Sequence, residues 1–585
     1  MKKNEKNSQL SSLKKLADHI HPKRKKQFLI LLIITIFAGI IEIVSIYSII
    51  PFISIVTNEN YLFNDTYLSK FININNKNEA VLIFGIVFSL FYIFNSILRI
   101  FIIYITARLS KITTAELSIN IYKSILYDSY EKHILRNPNS IISAVTQKVY
   151  EISTVLSGII NIISGTFFLL CIISVLIAIN PQVMIISMIF FTTLYFIITL
   201  STKKKIYESS EAINSSQNNI VKNLQNGLGA IRDIILDKTQ NFYMKLFKKE
   251  SFLLAKKGAL VEFIQNSPRY IFEALGLSLF VILLIYWNET KTNEEFVLIF
   301  PTLAALAIGA QRILPLLNVL YANATYIKSN YYQINEVQNI LSQYSAFEKK
   351  NMEMIQKNIN FENLISFKNV SYSYDGKKNI LEDINFEIKK GLKVGIIGKT
   401  GEGKSTFLDL LMGLLEPQKG SIYIDDNELS KITHNSWQSK ISHVPQKIFL
   451  SNNSFMENIA FGKEKEKIDI EEVKLAAKKS QIHEFIMQSE GEYNKSVGEQ
   501  GIKLSGGQIQ RIGLARALYK KVELIIFDEA TNSLDEHTEQ LVMKELNNID
   551  KNITLIIVTH RLNTLKDCDL IFEIKDQKVI QIEKV

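Results

Sequence analysis

Long apolar runs in the first 325 residues constrain the fold of this chain more than any other feature. A helix needs about 20 apolar residues to cross the hydrocarbon core of a bilayer. Because lipid offers no hydrogen-bond partners, such runs become helices whose backbone groups pair internally. The candidate spans are Phe28–Val56, Ala80–Ala107, Val155–Asn180, Val183–Leu200, Tyr270–Trp287 and Phe296–Ala322. The sequence therefore predicts a domain of six transmembrane helices.

The basic residues around these runs indicate their orientation. A cluster of Lys and Arg, 23–26, precedes the first run, whereas the loop 57–79 holds few basic residues. Cytoplasmic loops are enriched in Lys and Arg, so we expect both termini in the cytoplasm. This topology accounts for the formal net charge of +10. Nucleic-acid binding is the weaker explanation for that charge, and we expect no nucleic-acid partner.

Two long connections, 108–154 and 201–269, lie on the cytoplasmic side of the predicted spans. Both are charged, contain few Gly or Pro residues, and have apolar residues at helical spacing. We therefore predict helices that extend the spans into the cytosol and touch the soluble part. Short outer loops combined with two long inner connections are unusual for a channel or a secondary carrier.

The composition changes at about residue 359. Short β-branched runs then alternate with helical segments, which is typical of an α/β domain with a partly parallel sheet. We divide the chain into a transmembrane domain (1–325), a polar helical linker (326–358) and an α/β domain (359–585). The apolar content of 47%, charged content of 21% and mean hydropathy of +0.11 agree with a membrane part joined to a soluble part.

The soluble part contains a phosphate-binding loop between a strand-like and a helix-like segment. The loop fits the pattern G-x-x-x-x-G-K-[ST] and consists of Gly398, Lys399, Thr400, Gly401, Glu402, Gly403, Lys404, Ser405 and Thr406. Its glycines let backbone N–H groups approach phosphates closely. Lys404 would reach the β- and γ-phosphates, and the Ser405 hydroxyl would bind Mg²⁺. The loop predicts a nucleotide site.

Two further segments carry nucleotide chemistry. The apolar strand Leu524–Glu529 ends in two carboxylates, of which Asp528 would hold Mg²⁺ and Glu529 would polarise the attacking water as general base. Another anion site is predicted at a helix start, formed by Leu504, Ser505, Gly506, Gly507 and Gln508. One nucleotide does not need two phosphate clamps from one domain. The second clamp is therefore expected to serve a nucleotide bound by a partner.

These segments, in this order, resemble the ATP-binding cassette (ABC) family. The sequence L-S-G-G-Q at Leu504–Gln508 lies between the phosphate loop and the carboxylate strand, as the signature of that family does. The resemblance implies roles for three more residues. Tyr374 would stack on adenine, Gln446 would contact Mg²⁺ and the membrane domain, and His560 would sense the γ-phosphate. A loop at Asn532–Asp535 also matches, with Asn and Ser where Ser and Ala are common.

Six spans ahead of one cassette resemble an exporter-type half-transporter. In that family two chains form a dimer, and each ATP lies between the phosphate loop of one chain and the signature of the other. The resemblance implies an ATPase that uses ATP and Mg²⁺ and works as a homodimer; pairing with a different half-transporter remains open. It also implies an integral protein of the bacterial inner membrane with a cytoplasmic cassette.

Ionisable residues inside the predicted spans bear on the cargo. They cost about 2.5–3.5 kcal/mol each at the centre of a helix and usually face a protein interior. The candidates are Glu42, Arg99, Arg269, Glu273 and Arg312. Arg99, Arg269 and Arg312 would suit an anionic head group such as a pyrophosphate. The alternative is that the arginines reach an interface or pair with acids; Arg269 and Glu273 have the spacing of an intrahelical pair.

Several stretches resemble the bacterial lipid-linked oligosaccharide flippases. They are Ile41-Glu42 with Ile50–Ile53, Pro268–Glu273, Arg312–Pro315 and the outer loop Tyr61–Ile74. The resemblance implies a lipid-linked glycan as cargo, with the outer loop against its polyprenyl tail. Two alternatives remain open: an exporter of drugs, other lipids or peptides, and a cassette that acts as a regulator or channel gate. The presence of Glu529 and of the whole signature disfavours the regulator.

Overall fold

A computed structural model describes most of the chain as two compact units. The described residues are 12–57, 77–135, 138–290, 293–352, 358–374, 376, 378–430, 433–498, 501–530, 535–547, 550–559 and 565–583. The first unit consists of Met1–Asp128 and Arg136–Glu348, and the second of Ser129–Leu135 and Lys349–Val585. The short segment Ser129–Leu135 thus clusters with the α/β part, although it follows the second predicted span.

The first unit is helical. In chain order the helices are α1 (Pro22–Tyr47), α2 (Ile49–Thr57), α3 (Lys77–Leu126), α4 (Tyr130–Leu135), α5 (Pro138–Ser143), α6 (Val149–Ile179), α7 (Pro181–Gly229), α8 (Ile231–Leu236), α9 (Gln240–Thr290), α10 (Asn293–Ser329) and α11 (Tyr331–Met352). Of these, α4 belongs to the second unit. One π-helical stretch, Ala144–Lys148, connects α5 to α6.

Three helices are far longer than a bilayer is thick. α3, α7 and α9 contain 50, 49 and 51 residues. At 1.5 Å per residue each spans about 75 Å, whereas the hydrocarbon core measures about 30 Å. The predicted helical extensions of the spans are therefore present as uninterrupted helices.

Four helical stretches of the described part are long and apolar enough to cross a membrane. They are Pro22–Val56, Asn78–Leu126, Ile141–Ile179 and Pro181–Gly229. They contain the first four predicted spans, except for Asn180 at the end of the third. The fifth and sixth predicted spans lie within α9 and α10, where some side chains fall outside the described residues. Apolar side chains of α3 such as Ile97, Ile100 and Ile103 are more than half exposed, as expected on a lipid-facing surface.

The first predicted span is interrupted where α1 ends and α2 begins. The helix breaks at Ser48. Pro51 follows three residues later and has no N–H to donate to the Tyr47 carbonyl. Elsewhere α10 packs along α6, and α7 packs along α9.

The second unit contains two sheets. Its strands are β1 (Leu364–Tyr372), β2 (Leu381–Lys389), β3 (Lys393–Ile397), β4 (Lys419–Ile424), β5 (Asn427–Glu428), β6 (Ile441–Val444), β7 (Leu524–Asp528), β8 (Thr554–Val558), β9 (Leu570–Lys575) and β10 (Lys578–Ile582). One sheet is antiparallel with the order β2-β1-β4-β5. The other has the order β10-β9-β3-β8-β7-β6, and all its pairs except β10 with β9 are parallel.

In the described part of the second unit, seven helices besides α4 surround and connect these sheets. They are α12 (Lys404–Leu411), α13 (His434–Ser439), α14 (Phe455–Ile459), α15 (Ile470–Lys479), α16 (His483–Met487), α17 (Gly506–Tyr519) and α18 (Glu536–Asn547). Short 3₁₀ turns occur at Lys465–Lys467 and Glu492–Asn494.

Aromatic packing fixes α12 in the core of the second unit. Phe407 is fully buried and stacks on Phe367, with ring centroids 5.1 Å apart. Trp437 is also fully buried and donates its indole N–H to the Leu411 carbonyl at 2.7 Å. Because α12 begins at Lys404, this packing also holds the helix start that follows the phosphate loop.

The parallel sheet gathers the predicted nucleotide motifs at one edge. β3 leads into the phosphate loop, β7 ends at Asp528, and β8 lies between these two strands. Parallel strands place their carboxyl ends at the same edge, where open α/β sheets bind ligands. The topology therefore brings together residues more than a hundred positions apart.

Candidate nucleotide site

The phosphate loop, defined as Gly398–Thr406, has a backbone conformation that needs glycine. Gly398, Gly401 and Gly403 have φ values of 156°, 90° and 98°. A Cβ at Gly398 would lie 2.6 Å from the carbonyl oxygen of Ile574. Gly403 is the N-cap of α12, so the unpaired N–H groups of the first helical turn lie beside the loop, where an anion binds best.

Lys404 is held inside the loop by the loop's own carbonyl groups. Its Nζ donates to the carbonyl oxygens of Gly398 at 2.6 Å and Lys399 at 3.1 Å, and the residue is only 9% exposed. A lysine held in this way is positioned for phosphate oxygens without a large search of side-chain conformations. Ser405 and Thr406 follow it in the first turn of α12.

Tyr374 lies next to the phosphate loop. Its hydroxyl is 3.3 Å from the Thr406 Oγ1, and its ring meets Tyr372 edge to face with centroids 5.1 Å apart. The side chain is 38% exposed. The structure thus joins the predicted adenine-stacking residue to the predicted phosphate site and leaves part of its ring accessible.

The two carboxylates at the end of β7 differ in their surroundings. Asp528 is half-buried, and burial raises its pKa; the neighbouring Glu529 carboxylate raises that pKa further, and Lys404 opposes the shift. Glu529 has a left-handed backbone, with φ of 50°, and its N–H donates to the Val558 carbonyl at 2.9 Å. Adjacent acids at a half-buried position favour a bound cation.

Gln446 joins the acid pair through a direct hydrogen bond. Its Nε2 donates to the Glu529 Oε2 at 2.8 Å. The side-chain amide oxygen of Gln446 takes no part in that bond. Ser405, Asp528 and Gln446 together offer hydroxyl, carboxylate and amide oxygens, the donor types that Mg²⁺ prefers. Among the described residues there is no cluster of three or more His, Cys, Asp or Glu that could hold a metal. Few protein ligands are typical of Mg²⁺ bound together with phosphates.

The signature segment, Leu504–Gln508, starts α17 with a reciprocal cap. The Ser505 Oγ accepts from the Gln508 N–H at 3.3 Å, and the Gln508 side chain accepts from the Ser505 N–H at 2.8 Å. In the described part of the chain, no hydrogen bond links this segment to the phosphate loop. The described residues thus show no direct polar contact between the two predicted phosphate clamps of one chain.

A surface cavity of about 520 Å³ lies between the Gln446 loop and the start of α17. Its lining residues are Gln446, Lys447, Ile448, Phe449, Gly506, Ile509 and Gln510. Phe449 is 60% exposed. An exposed aromatic side chain in a concave site marks a surface suited to another apolar element.

Some predicted residues fall outside the described part of the chain. They are His560, Asn532–Leu534 and the outer loop Tyr61–Ile74. Their assigned roles stay predictions. The neighbouring Thr559 follows β8, and its N–H donates to the Ile396 carbonyl at 3.3 Å.

Asp409 is not among the predicted site residues, but it interacts electrostatically with Asp528. It lies in α12, and burial raises its pKa to about 6, with a further contribution from Asp528. The pKa of Tyr130 in α4 is also raised, first by burial and then by Asp409 and Tyr374. The signal in the sequence was an acid between Leu408 and Leu410, in the apolar second half of the helix.

Two of the three predicted cargo arginines meet in the first unit. Glu42 is fully buried; its Oε2 lies 2.7 Å from the Arg99 Nη2, and its Oε1 contacts Arg312. Asn95, which is not among the predicted site residues, donates a side-chain N–H to the same carboxylate. It precedes Arg99 by four residues, a spacing that puts both on one face of α3.

Arg269 stands apart from that cluster. Its Nε lies 2.8 Å from the Glu273 Oε1, which is the intrahelical pair that the spacing predicts. The Arg269 side chain is 57% exposed. In the described part of the first unit, no contact links Arg269 to Glu42.

Comparison with known proteins finds the same two parts in one family. Residues 18–287 match the family model described as ABC transporter transmembrane region, and residues 381–532 match the model described as ABC transporter. The heavy metal tolerance protein of Schizosaccharomyces pombe is 39% identical over 217 residues, which are 37% of this chain and 26% of that protein. The ATP-dependent lipid A-core flippase of Legionella pneumophila is 29% identical over 402 residues, 68% of this chain and 66% of that protein. The chain thus spans less than two thirds of the length of these relatives.

A solved structure has the same fold over nearly the whole chain. A bacterial Atm1-family ABC exporter with ATP bound matches with a TM-score of 0.77 and 20% identity, over 96% of this chain and 95% of that one. The sequence matches cover both units, and the structural match extends the shared fold across them. The chain therefore belongs to the ABC transporters, as an exporter-type half-transporter that joins a helical membrane region to an ABC-type ATPase domain.

Proposed function

We propose that this chain hydrolyses ATP and uses the energy to transport a cargo across the membrane. The supporting observation is the edge of the parallel sheet, where Lys404, Asp528, Glu529 and Gln446 converge. The phosphate loop binds the phosphates through backbone N–H groups and Lys404. Mg²⁺, held by Ser405, Asp528 and Gln446, would neutralise phosphate charge when bound.

Glu529 acts as the general base in this proposal. Its carboxylate accepts a hydrogen bond from Gln446, which restricts the orientation of the group that would take a proton from the attacking water. Its left-handed backbone is costly for a non-glycine residue. Gln446 is thus a positioning residue as well as a candidate ligand, and Tyr374 holds the base of the nucleotide.

Glu529→Gln tests this assignment. The amide keeps the size of the side chain but cannot take a proton, so turnover should fall by about 10²-fold or more while ATP stays bound. ATPase rate and bound nucleotide are measured on the full chain in nanodiscs. Asp425→Asn is a suitable control, because Asp425 accepts backbone N–H bonds at the far end of β4, away from β7. Undiminished hydrolysis in Glu529→Gln would refute the base role.

The working unit in this proposal is a homodimer. On the first unit, α8 exposes Ile235 by 59% and Leu236 by 75%. On the second unit, Phe449 and Phe461 are 60% and 55% exposed. Arg516 contacts both residues. Its Nη2 donates to the Phe449 carbonyl, and its guanidinium lies 4.5 Å from the Phe461 ring centroid. An exposed apolar helix and an exposed apolar groove on one chain complement each other in a second copy.

A cross-link between two differently tagged chains tests the dimer. One chain carries Ile235→Cys and the other Phe449→Cys, both with Cys171→Ala and Cys568→Ala to remove the native thiols. Oxidation should give a covalent dimer in nanodiscs. A chain with Leu224→Cys is the control, because Leu224 is also exposed but lies on α7, about two turns before α8 begins. Equal cross-linking of Phe449→Cys to Ile235→Cys and to Leu224→Cys, or no cross-linking to either, would refute the docking of α8 on the Phe449 surface. Either result would favour another partner chain.

The cargo in this proposal is a lipid-linked oligosaccharide with an anionic head, flipped or exported across the bacterial inner membrane. Arg99 and Arg312 support the anionic head. A cavity of about 390 Å³ between α6, α7, α9 and α10 supports the lipid part; its walls include Leu169, Met184 and Phe280. The similarity to a lipid A-core flippase agrees with a lipid cargo. An exporter of drugs, other lipids or peptides is the second candidate, favoured by the same apolar cavity.

Substrate-stimulated ATP turnover distinguishes these candidates. The full chain in nanodiscs is supplied with a polyprenyl-diphosphate oligosaccharide or with an uncharged lipid of the same chain length. The proposal expects stimulation by the first only. Equal stimulation by both would favour the general exporter, and stimulation by neither would favour a regulatory cassette.

A further inference from the structure

A compact ionic cluster lies inside the membrane-spanning part and is built from three helices. Glu42 of α1 is fully buried, Arg312 of α10 is 12% exposed, and Arg99 of α3 is 35% exposed. The carboxylate divides its two oxygens between the arginines: Oε2 faces Arg99 and Oε1 faces Arg312. Asn95 adds a second donor to Oε2. A single carboxylate therefore connects α1, α3 and α10.

Aromatic rings hold both guanidinium groups from the other side. The Arg99 guanidinium lies 5.0 Å from the ring centroid of Phe168, and the Arg312 guanidinium lies 4.7 Å from that of Tyr92. Such contacts restrict the two planes without neutralising them. The geometry is thus preorganised and does not depend on flexible surface side chains.

The cluster carries more positive charge and more donors than Glu42 can satisfy. Two guanidinium groups and one carboxylate leave a formal charge of +1. The Arg99 Nε–H has no hydrogen-bond partner among the described residues. A buried unpaired donor is costly, and guanidinium groups match phosphate oxygens in geometry and charge. The unused capacity therefore fits an anion.

We propose that Glu42 sets the charge of this cluster and thereby the range of anionic head groups that it binds. With Glu42 ionised, the net charge of +1 suits a weakly held monoanion or a diphosphate that can be released again. Glu42 also keeps the two guanidinium groups together while no cargo is bound. This assignment rests on the proposed anionic lipid cargo, and it adds a specificity-determining acid to the arginines.

Glu42 differs from the other acid next to a cargo arginine. Glu273 pairs with Arg269 within one helix, and its side chain is 37% exposed. Solvent screening makes such a pair weak. In the described part of the chain, neither Arg99 nor Arg312 forms an ion pair with any acid other than Glu42. A change of charge at Glu42 therefore acts on both guanidinium groups at once.

Equilibrium binding of two isoprenoid probes tests the proposal. Radiolabelled farnesyl monophosphate and farnesyl diphosphate are added to the full chain in nanodiscs, with excess ADP to occupy the phosphate loops. Glu42→Gln raises the cluster charge to +2 and should tighten diphosphate binding by about tenfold or more, with a smaller gain for the monophosphate. Glu116→Gln is the matched control, because Glu116 forms another interhelical pair, with Arg24, on a cytoplasmic extension.

A charge cycle separates electrostatics from packing. Arg99→Gln alone lowers the cluster charge to zero and should weaken diphosphate binding by about tenfold. The double variant Glu42→Gln/Arg99→Gln returns the charge to +1 and should recover an affinity close to that of the parent chain. A merely structural Glu42 would instead make the double variant worse than either single variant.

The outcomes are distinct from those of the proposed function. Unchanged diphosphate affinity in a folded Glu42→Gln chain would overturn the role of Glu42, and so would the absence of binding in every variant. A different outcome is a charge cycle as expected together with no transport of polyprenyl-linked glycan. That result would support the Glu42 assignment and refute only the glycan cargo.

Discussion

At the scale of single residues, the phosphate loop shows how closely a backbone can approach another chain segment. Gly398 combines a φ of 156° with a position where a Cβ would lie 2.6 Å from the Ile574 carbonyl oxygen. Backbone cannot yield as the end of a flexible side chain can. The glycine at this position therefore sets the path of the loop, and the path of the loop sets where the phosphates lie.

Gly398→Ala should weaken ATP binding by about tenfold or more, since a left-handed non-glycine residue costs roughly 1–2 kcal/mol before the clash is counted. The matched control is Gly462→Ala. Gly462 also has a positive φ, of 80°, but a Cβ there would meet nothing within 4 Å. Nucleotide affinity is measured on the full chain by equilibrium dialysis. Equal affinities of the two variants would contradict the close-approach argument.

Asp409 predicts a pH dependence of cassette stability. Its folded pKa is about 6, above the ordinary value of 3.8, because of burial and then Asp528. For an acid with a raised folded pKa, stability is lost as pH rises from about 4 to about 6, and the cost remains above that range. Asp409→Asn escapes this cost. The variant should match the parent near pH 4 and exceed it in thermal stability at pH 7.5.

The buried Trp437 allows the pH dependence of cassette stability to be measured. The chain has two tryptophans, so Trp287→Phe leaves Trp437 as the reporter of the cassette core. The apparent midpoint of thermal unfolding is followed by fluorescence across the pH range for parent and variant. A difference that is the same at pH 4 and pH 7.5 would show that the effect of Asp409 is not one of charge.

At the scale of elements, the signature helix α17 owes its start to Ser505. The capping box with Gln508 satisfies two N–H groups that would otherwise be unpaired. The same helix start is the proposed clamp for the nucleotide of the partner chain. Stability and catalysis therefore depend on one side chain, and a second capping box in the cassette allows the two to be separated.

Ser505→Ala should cost about 1 kcal/mol of cassette stability and also most of the ATPase activity. Ser454→Ala removes the cap of α14, a capping box of the same kind with Glu457. It should cost a similar amount of stability and leave turnover near that of the parent. Steady-state ATPase rates and unfolding midpoints of both variants check this. Full turnover in Ser505→Ala would contradict the role of the signature segment.

Sequence patterns predicted elements well where one physical rule dominates. The apolar runs predicted helices because lipid leaves no alternative for the backbone, and the loop 398–406 predicted a strand-turn-helix context that β3 and α12 provide. The break at Ser48 was not predicted, although Pro51 is a local signal for it. The contacts of Asn95 and Asp409 were also missed, because they depend on which residues meet across helices or strands, and a local pattern does not contain that information.

Contacts between helices divide the three predicted cargo arginines into two groups. The sequence grouped Arg99, Arg269 and Arg312 by type, whereas the structure joins two of them through Glu42 and leaves Arg269 with Glu273. Spacing within one helix predicted the second pairing. Spacing could not predict the first, because α1, α3 and α10 are distant in sequence and meet only through packing.

At the scale of the whole molecule, the proposal requires two chains to complete each nucleotide site. The phosphate loop and the signature segment of one chain share no hydrogen bond in the described part. A mixed dimer of a Lys404→Ala chain and a Ser505→Ala chain contains one intact composite site. A dimer of the parent chain with a Lys404→Ala/Ser505→Ala chain contains one defect in each site.

The first mixture should therefore keep more ATPase activity than the second, although both contain the same two substitutions. Differently tagged chains are co-expressed, and mixed dimers are isolated by two affinity steps before rates are measured. The reverse order of rates would contradict sharing of the site between chains and would favour nucleotide sites complete within each chain.

The most direct test of the whole account is ATP-dependent movement of a polyprenyl-diphosphate-linked oligosaccharide in proteoliposomes. The blank is Glu529→Gln, which keeps the fold and the nucleotide but lacks the base. We expect translocation by the intact chain and none by Glu529→Gln. Arg99→Gln should show reduced translocation. No translocation by an intact chain that still hydrolyses ATP would contradict the glycolipid cargo.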